Sequence, residues 1–221
     1  QGQQNKALAL DVSEEYSVST FVATEGADYD PEGDGVWLSD KFASANGYGL
    51  GDTLTLAFQG TEISGEIVGL IKSGEHMICL ADNNQMMPDF TAFGYAYISP
   101  KKLRTAVEGK MKSSYTDELT AAGVPEVFID EGLTRMFVND SSVDEAMDKV
   151  FAQINLISDM EKAELEDAVK DKLGRTIMVT SKDDHVVYKE AMGEATEGKA
   201  MGSILPVLFL AIAILTMVTT M

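Results

Sequence analysis

The sequence predicts an α+β fold with mixed sheets that contain βαβ units, arranged in two lobes and followed by a C-terminal transmembrane helix. Three observations lead there. Short β-branched and aromatic runs recur between Gly, Asn and Asp turns, as strands do. Stretches with helical periodicity are interleaved with those runs. And the last 20 residues, Gly202 to Met221, carry no charged side chain.

The elements follow in order. Val18 to Thr24 (VSTFVAT) is a strand, and an acidic, glycine-rich loop runs from Glu25 to Gly35. Val36-Trp37-Leu38 is a short apolar strand. Ser39 then stands as an N-cap, with Asp40 in the first turn and Asn46-Gly47 as the stop of a two-turn helix. Thr53 to Phe58 and Ile63 to Ile71 form a hairpin about Gln59-Gly60. Met77 to Leu80 offers another strand, and Tyr95 to Ile98 a further one. Ser99-Pro100 opens a helix to about Val107, as N-cap and first helical residue.

Residues 109–150 are more polar. They read as a helix at Thr116–Ala122, strands at Glu126–Ile129 and Thr134–Val138, and a helix at Val143–Phe151. Gln153 to Ile157 is a strand. Ser158 and Glu161 then form a capping box for a helix to Leu173, closed by Gly174, and Thr176 to Thr180 is the return strand. Strand, helix and strand in succession predict a βαβ unit with parallel strands.

From Ser181 a last helix is expected to about residue 197. Gly198–Gly202 is a candidate break, and a second helix starts near Ser203. The run GSILPVLFLAIAILTMVTTM is long enough, at 1.5 Å per residue, to cover a hydrocarbon core of roughly 30 Å. Only Lys199 precedes it closely, among Glu190, Glu194 and Glu197. The positive-inside rule therefore puts residues 1–201 outside the cytoplasm. The chain opens on Gln1 without a visible signal peptide, so the expectation is a fragment lying between two membrane helices and running into the second.

Charge and composition exclude several functions. Thirty-six acidic residues face 17 basic ones, a formal net charge of −19, and such a surface repels phosphate backbones. A single cysteine, Cys79, permits no internal disulfide and no zinc cluster. His76 and His185 are the only histidines, there is no glycine-rich phosphate loop and no GxSxG elbow. No catalytic residue and no cofactor is expected. Two stretches carry weaker candidates. Asp30-Pro31-Glu32-Gly33-Asp34-Gly35 begins like a calcium loop, with Asp30, Glu32 and Asp34 as ligands, but its twelfth position is Lys41 rather than Glu. Met86, Met87, Phe90 and Phe93 could give an adaptable contact surface for cargo or a partner, or could plug the core beneath their loop.

Three segments together resemble a known family. They are Val36-Trp37-Leu38-Ser39-Asp40-Lys41-Phe42-Ala43; Leu50-Gly51-Asp52-Thr53-Leu54-Thr55-Leu56 leading to Ile63-Ser64-Gly65-Glu66-Ile67-Val68-Gly69-Leu70; and Gly94-Tyr95-Ala96-Tyr97-Ile98-Ser99-Pro100. In this order they resemble the extracytoplasmic core domain of FtsX-like ABC-transporter permeases of the MacB type. Glu197 to Ser203 resembles entry into that family's second membrane helix. The likeness covers roughly 15–105 and 150–221, while residues 106–150 match no pattern of it. It implies a membrane-near lobe from about 1–45, 95–108 and 150–201, and a distal lobe from about 46–94 and 109–149. It also implies a non-catalytic role coupling cytoplasmic ATP hydrolysis to export or signalling. The partners would be the membrane, a cytoplasmic ABC ATPase, the rest of the permease and a second permease copy. A stand-alone membrane-anchored extracellular binding module and a membrane-tethered hydrolase are the competing classes.

Overall fold

The computed structural model describes residues 6–13, 18–58, 60–77, 79–81, 85, 87–129, 138–151, 153–173, 178–184 and 186–220. The chain divides into two compact units, Gln1–Ile157 and Ser158–Met221.

The first unit is built on a mixed six-stranded sheet. Its strands are β1 (Ala7–Val12), β2 (Phe21–Gly26), β3 (Val36–Ser39), β4 (Thr53–Phe58), β5 (Thr61–Ser73) and β6 (Phe93–Ile98). Their order is β1-β6-β3-β5-β2, with β4 paired to β5. β1 and β6 run parallel, as do β3 and β5; the other pairs are antiparallel. The 13-residue β5 does two jobs. Its first half closes the hairpin with β4, from Thr53↔Glu66 to Phe58↔Thr61. Its second half lies between β3 and β2, where Ile71 pairs with both Ser39 and Ala23.

Alternation along the strands separates two faces. Val36 and Leu38 of β3 and Ala96 and Ile98 of β6 point to one side. There they pack with Ile67, with Phe42 and Ala43 of α1 (Asp40–Asn46), with Leu103 and Val107 of α2 (Pro100–Ala121), and with Val143 of α3 (Asp140–Val150). Trp37, Tyr95, Tyr97 and Phe21 point to the other side and form an aromatic cluster with Ile71 and Cys79. Two glycines let these layers close. A Cβ on Gly94 would stand 2.6 Å from Cβ of Phe42, and one on Gly69 would stand 2.5 Å from the indole of Trp37. The Ala27 carbonyl also lies 2.9 Å from where a Cβ on Gly69 would stand.

Several local expectations change. β1 was not anticipated: its Leu8, Leu10 and Val12 alternate toward the core, but alanine is a poor strand former and hid the pattern. Ser39 occupies the N-cap of α1, yet its hydroxyl makes no cap bond; Gly47 ends the helix at φ 74°. Ser99 does cap α2, accepting from Lys102 N at 3.0 Å. That helix runs 22 residues rather than stopping near Val107 and restarting at Thr116. Leu103 and Val107 are buried in it, and Met111 and Tyr115 continue their four-residue row, partly buried against the same core, so tertiary packing carries the helix through Gly109 and the polar residues that suggested a stop. Glu126–Phe128 is a 3₁₀ turn, not a strand. α3 begins at an Asn139–Ser142 capping box, and the expected strand at Thr134–Val138 falls almost wholly outside the described residues. Met77 and Cys79–Leu80 lie in no strand; position 78 is not described.

The second unit holds α4 (Lys162–Leu173), a 3₁₀ turn at Lys182–Asp184 and α5 (Val186–Thr220). Residues 153–157 and 178–180, expected to flank α4 as strands of a βαβ unit, lie in no strand; 176 and 177 are not described. Ser158 accepts from Met160 N at 3.1 Å instead of capping, and the helix starts with Leu165 N on the Glu161 carbonyl.

α5 is the largest departure. It is one helix of 35 residues, with no break at Gly198–Gly202. It passes through Gly193, Gly198 and Gly202, each of which costs about 1 kcal/mol relative to alanine in a helix interior. It also passes through Pro206, which has no N–H for the i−4 carbonyl. The segment Tyr188–Ala213 has a mean hydropathy of 1.3, and α5 is long and apolar enough to cross a membrane by length and composition. Its large apolar side chains Ile204, Leu208, Phe209 and Leu210 are all more than half exposed.

Candidate functional site

The acidic loop is held by backbone contacts. Asp30 folds its carboxylate onto its own turn, accepting from Glu32 N at 2.9 Å, as Asx turns do. The carbonyls that a calcium ion would want are taken from the side of α2. Ser99 Oγ donates to Gly33 O at 2.5 Å, Lys101 Nζ to Glu32 O at 3.2 Å, and Lys102 Nζ to Asp34 O at 2.6 Å. Among the described residues no three His, Cys, Asp or Glu side chains converge as a metal set. Asp30, Glu32 and Asp34 therefore stand as a solvated turn tied to the α2 N-terminus, with two ammonium groups where a cation would sit. Tyr29 anchors the same loop from beneath: its single phenolic proton lies between the carbonyls of Ser13 (2.7 Å) and Ile98 (3.0 Å), both within reach of its oxygen.

The methionine–phenylalanine segment divides. Phe90 and Phe93 are half-buried and pack against the aromatic cluster. Met87 is 79% exposed, and Met86 lies outside the described residues. Asn46 of α1 donates to the Phe90 carbonyl at 3.0 Å, so the helix on one face also fixes the loop that reaches the other.

A cluster that the sequence did not announce lies on the aromatic face. His76, in the turn after β5, places Nε2 2.5 Å from Oδ2 of Asp11 on the edge strand β1. Its ring stacks on Tyr95 at 4.6 Å and 20°. Ser73 hydrogen-bonds both tyrosines: its N–H donates to Tyr95 Oη, and its hydroxyl shares a 3.0 Å bond with Tyr97 Oη. Ser39 Oγ is buried beside the Tyr95 phenol, and Asp40 Oδ1 is buried without a hydrogen-bond partner among the described residues. Asp40 Oδ2 is 3.4 Å from Lys72 Nζ. Around the rim, Glu75 joins Ser19 and Asn155.

The chemistry open to this cluster is limited. An Asp–His pair is two thirds of a nucleophilic triad, but the third member is missing among the described residues. The hydroxyl of Ser73 is committed to Tyr97. The Cys79 thiol is 2% exposed and burial pushes its pKa up to about 11, so it is not a thiolate at neutral pH. Burial likewise raises the phenols of Tyr95 and Tyr97. These groups hold a loop to a sheet. A hollow of about 390 Å³ lies elsewhere, between the hairpin tip and α2, lined by Gly60, Glu62, Gly109 and Lys110; it is open to solvent and brings no catalytic set together. His185 lies outside the described residues.

Comparison with protein-family models, with curated proteins and with solved structures finds no significant match.

Proposed function

We propose that this chain is a non-catalytic extracytoplasmic domain of an ABC-transporter permease, coupling ATP hydrolysis on the cytoplasmic side to substrate export or transmembrane signalling. The observation that carries the reading is α5, a single uninterrupted helix whose first half bears five charges and whose second half bears none. A continuous helix transmits displacement along its axis, which a glycine-broken pair would not. Two further points support it. The three segments that resemble FtsX-like permeases fall on successive pieces of one sheet: β3 with α1, β4 with β5, and β6 with the start of α2. And the polar clusters on that sheet supply attachment rather than a reaction centre.

On this reading residues 1–201 lie outside the cytoplasm. The sheet-bearing residues then serve as a lever or a contact domain in two lobes, and α5 is the stalk and membrane span. The partners are the remaining permease segments and a cytoplasmic ATPase, as a subunit or a fused domain. Purification of the full-length protein from its own membrane in mild detergent tests this. The expected eluate contains a P-loop ATPase and hydrolyses ATP in a vanadate-sensitive way. An eluate with no nucleotide hydrolase would leave only an anchored module and refute the proposal.

A further inference from the structure

We propose that the outer edge of β4 takes up an extended, basic, amphipathic segment of another protein as an added strand of the sheet. The inference goes beyond the transporter reading and does not rest on it, since nothing in it uses α5.

The register of the hairpin says which backbone groups are open. Ile67 N donates to Asp52 O at 2.8 Å, and Gly51 N donates to Ile67 O at 2.9 Å. In an antiparallel ladder, hydrogen-bonded and non-bonded pairs alternate. Counting from Ile67, the residues of β5 that bond β4 are Gly65, Ile63 and Thr61, opposite Leu54, Leu56 and Phe58. Thr53, Thr55 and Ala57 therefore turn their N–H and C=O groups away from β5. Among the described residues no strand pairs with β4 on that side, and no turn or loop bond reaches those groups.

Sheet edges are normally guarded by charge, proline or a bulge. The edge strand β2 is broken by a bulge between Ala23 and Glu25 and carries Glu25. The edge strand β1 carries Asp11, to which His76 is bonded. β4 reads TLTLAF, with no charge and no proline, and its register with β5 runs unbroken. Of these three edges it is the one left open to a strand.

The two faces of the hairpin define that strand. On one face Leu54 is buried while Leu56 and Phe58 are half-buried, so the apolar layer runs out to the edge and stops there. On the other face Thr53, Thr55 and Ala57 are exposed, and so are Glu66, Ser64 and Glu62 opposite them. Thr55 and Ser64 bond each other at 2.8 Å. Neither Glu62 nor Glu66 has an ion pair among the described residues. Side chains alternate along a strand, so an added one sets every second residue on the apolar face and the rest on the glutamate face. Lysine or arginine there reaches Glu62 and Glu66 over the short side chains of Thr53, Thr55 and Ala57. The net charge of −19 draws a basic segment in as well. A second copy fits poorly, because it brings the same net charge and no cation for Glu62 and Glu66.

The probe that tests this is a heptapeptide of alternating lysine and valine, blocked at both ends, titrated onto the full chain in nonionic detergent. Amide exchange over residues 53–58, read by mass spectrometry, should slow several-fold, while β1 and β2 stay unchanged. N-methylation of the lysines blocks one edge of the peptide, and N-methylation of the valines blocks the other. Only one of these two peptides should lose affinity, by at least tenfold in fluorescence anisotropy. Glu62→Gln with Glu66→Gln should weaken the parent peptide several-fold, whereas Glu25→Gln with Glu32→Gln, elsewhere on the surface, should not. Unchanged exchange over 53–58, the same affinity for both methylated peptides, or equal effects of the two carboxylate pairs overturns the proposal. Protection over 53–58 that grows with protein concentration before any peptide is added gives the edge to a second copy and overturns it too.

Discussion

The imidazole of His76 lies 2.5 Å from the carboxylate of Asp11, joining the turn after β5 to the edge strand β1 across 65 residues of sequence. Both side chains are less than a third exposed, at 19% and 26%. Hydrogen bonds to a charged group contribute about 1.5–3 kcal/mol when sheltered, and partial exposure trims that. Asp11→Asn and His76→Ala should each lower stability by roughly 1–2 kcal/mol. His76→Gln, which keeps a donor, should recover part of it. Urea midpoints read this directly, and midpoints within error of the parent for all three variants would show that the contact does not hold the loop.

The buried phenols set the alkaline limit. An unfolded tyrosine gives up its proton near pH 10, whereas burial keeps Tyr97 and Tyr95 protonated above that. Above pH 10 the unfolded chain therefore binds fewer protons than the native one, and stability must fall as pH rises. Cys79 adds to the fall between its ordinary value of 9.0 and about 11. Each such group contributes a slope of up to about 1.4 kcal/mol per pH unit. Tyr97→Phe should be less stable at pH 7, having lost the bond to Ser73, but should lose stability more shallowly between pH 10 and 11. A parallel decline in the two proteins would contradict the assignment.

Much of the fold was legible in the sequence where local signals were strong. The strand pattern around Trp37, the hairpin turn at Gly60 and the Ser99-Pro100 helix start combine short-range rules with apolar alternation, and all stand in the structure. The misses have physical causes. The length of α2 was hidden because Gly109 and a run of polar residues break the local helix signal, while Met111 and Tyr115 carry the row of Leu103 and Val107 on against the core. Gly198 and Gly202 suggest a break, but the helical residues around them hold the backbone together. Of the site, the Asp30 loop and the Met87–Phe93 segment were visible as composition. The Asp11–His76 contact was not, because no spacing rule links residues brought together by strand order.

Glycines give a direct test of packing against propensity. Gly94 lies on β6 under Phe42, and Gly94→Ala would drive a methyl to within 2.6 Å of Phe42 Cβ, an atom that cannot move without its helix. The expected loss is about 1–3 kcal/mol. Gly109 lies in α2 with open space around it, so Gly109→Ala should stabilise by up to about 1 kcal/mol. Thermal or urea melts in which both changes have the same sign would mean that the contact at Phe42 relaxes freely.

Calcium should leave the domain unchanged. Lys101 and Lys102 already donate to the carbonyls of the Asp30 loop, and a divalent ion would have to displace two ammonium groups to reach them. Calorimetric titration of the parent chain and of an Asp30→Ala/Asp34→Ala pair should give identical, heatless traces. Saturable heat that disappears in the pair would restore the calcium loop.

If α5 transmits motion, its continuity matters more than its composition. The helix runs unbroken from Val186 to Thr220, through three glycines and a proline. A flexible Gly-Ser insertion after Glu197 would leave the sheet-bearing unit intact, since none of its buried core residues lies beyond Val143. It would also leave the uncharged half able to enter a membrane. What it would remove is the rigid link between the two halves. In the assembled transporter such a variant should still hydrolyse ATP while transport or signalling falls at least tenfold. A helical insertion of seven residues, which preserves rigidity and nearly the same helical phase, should retain most of the output. If both insertions abolish it equally, length rather than stiffness is limiting. If neither does, α5 is an anchor and not a stalk.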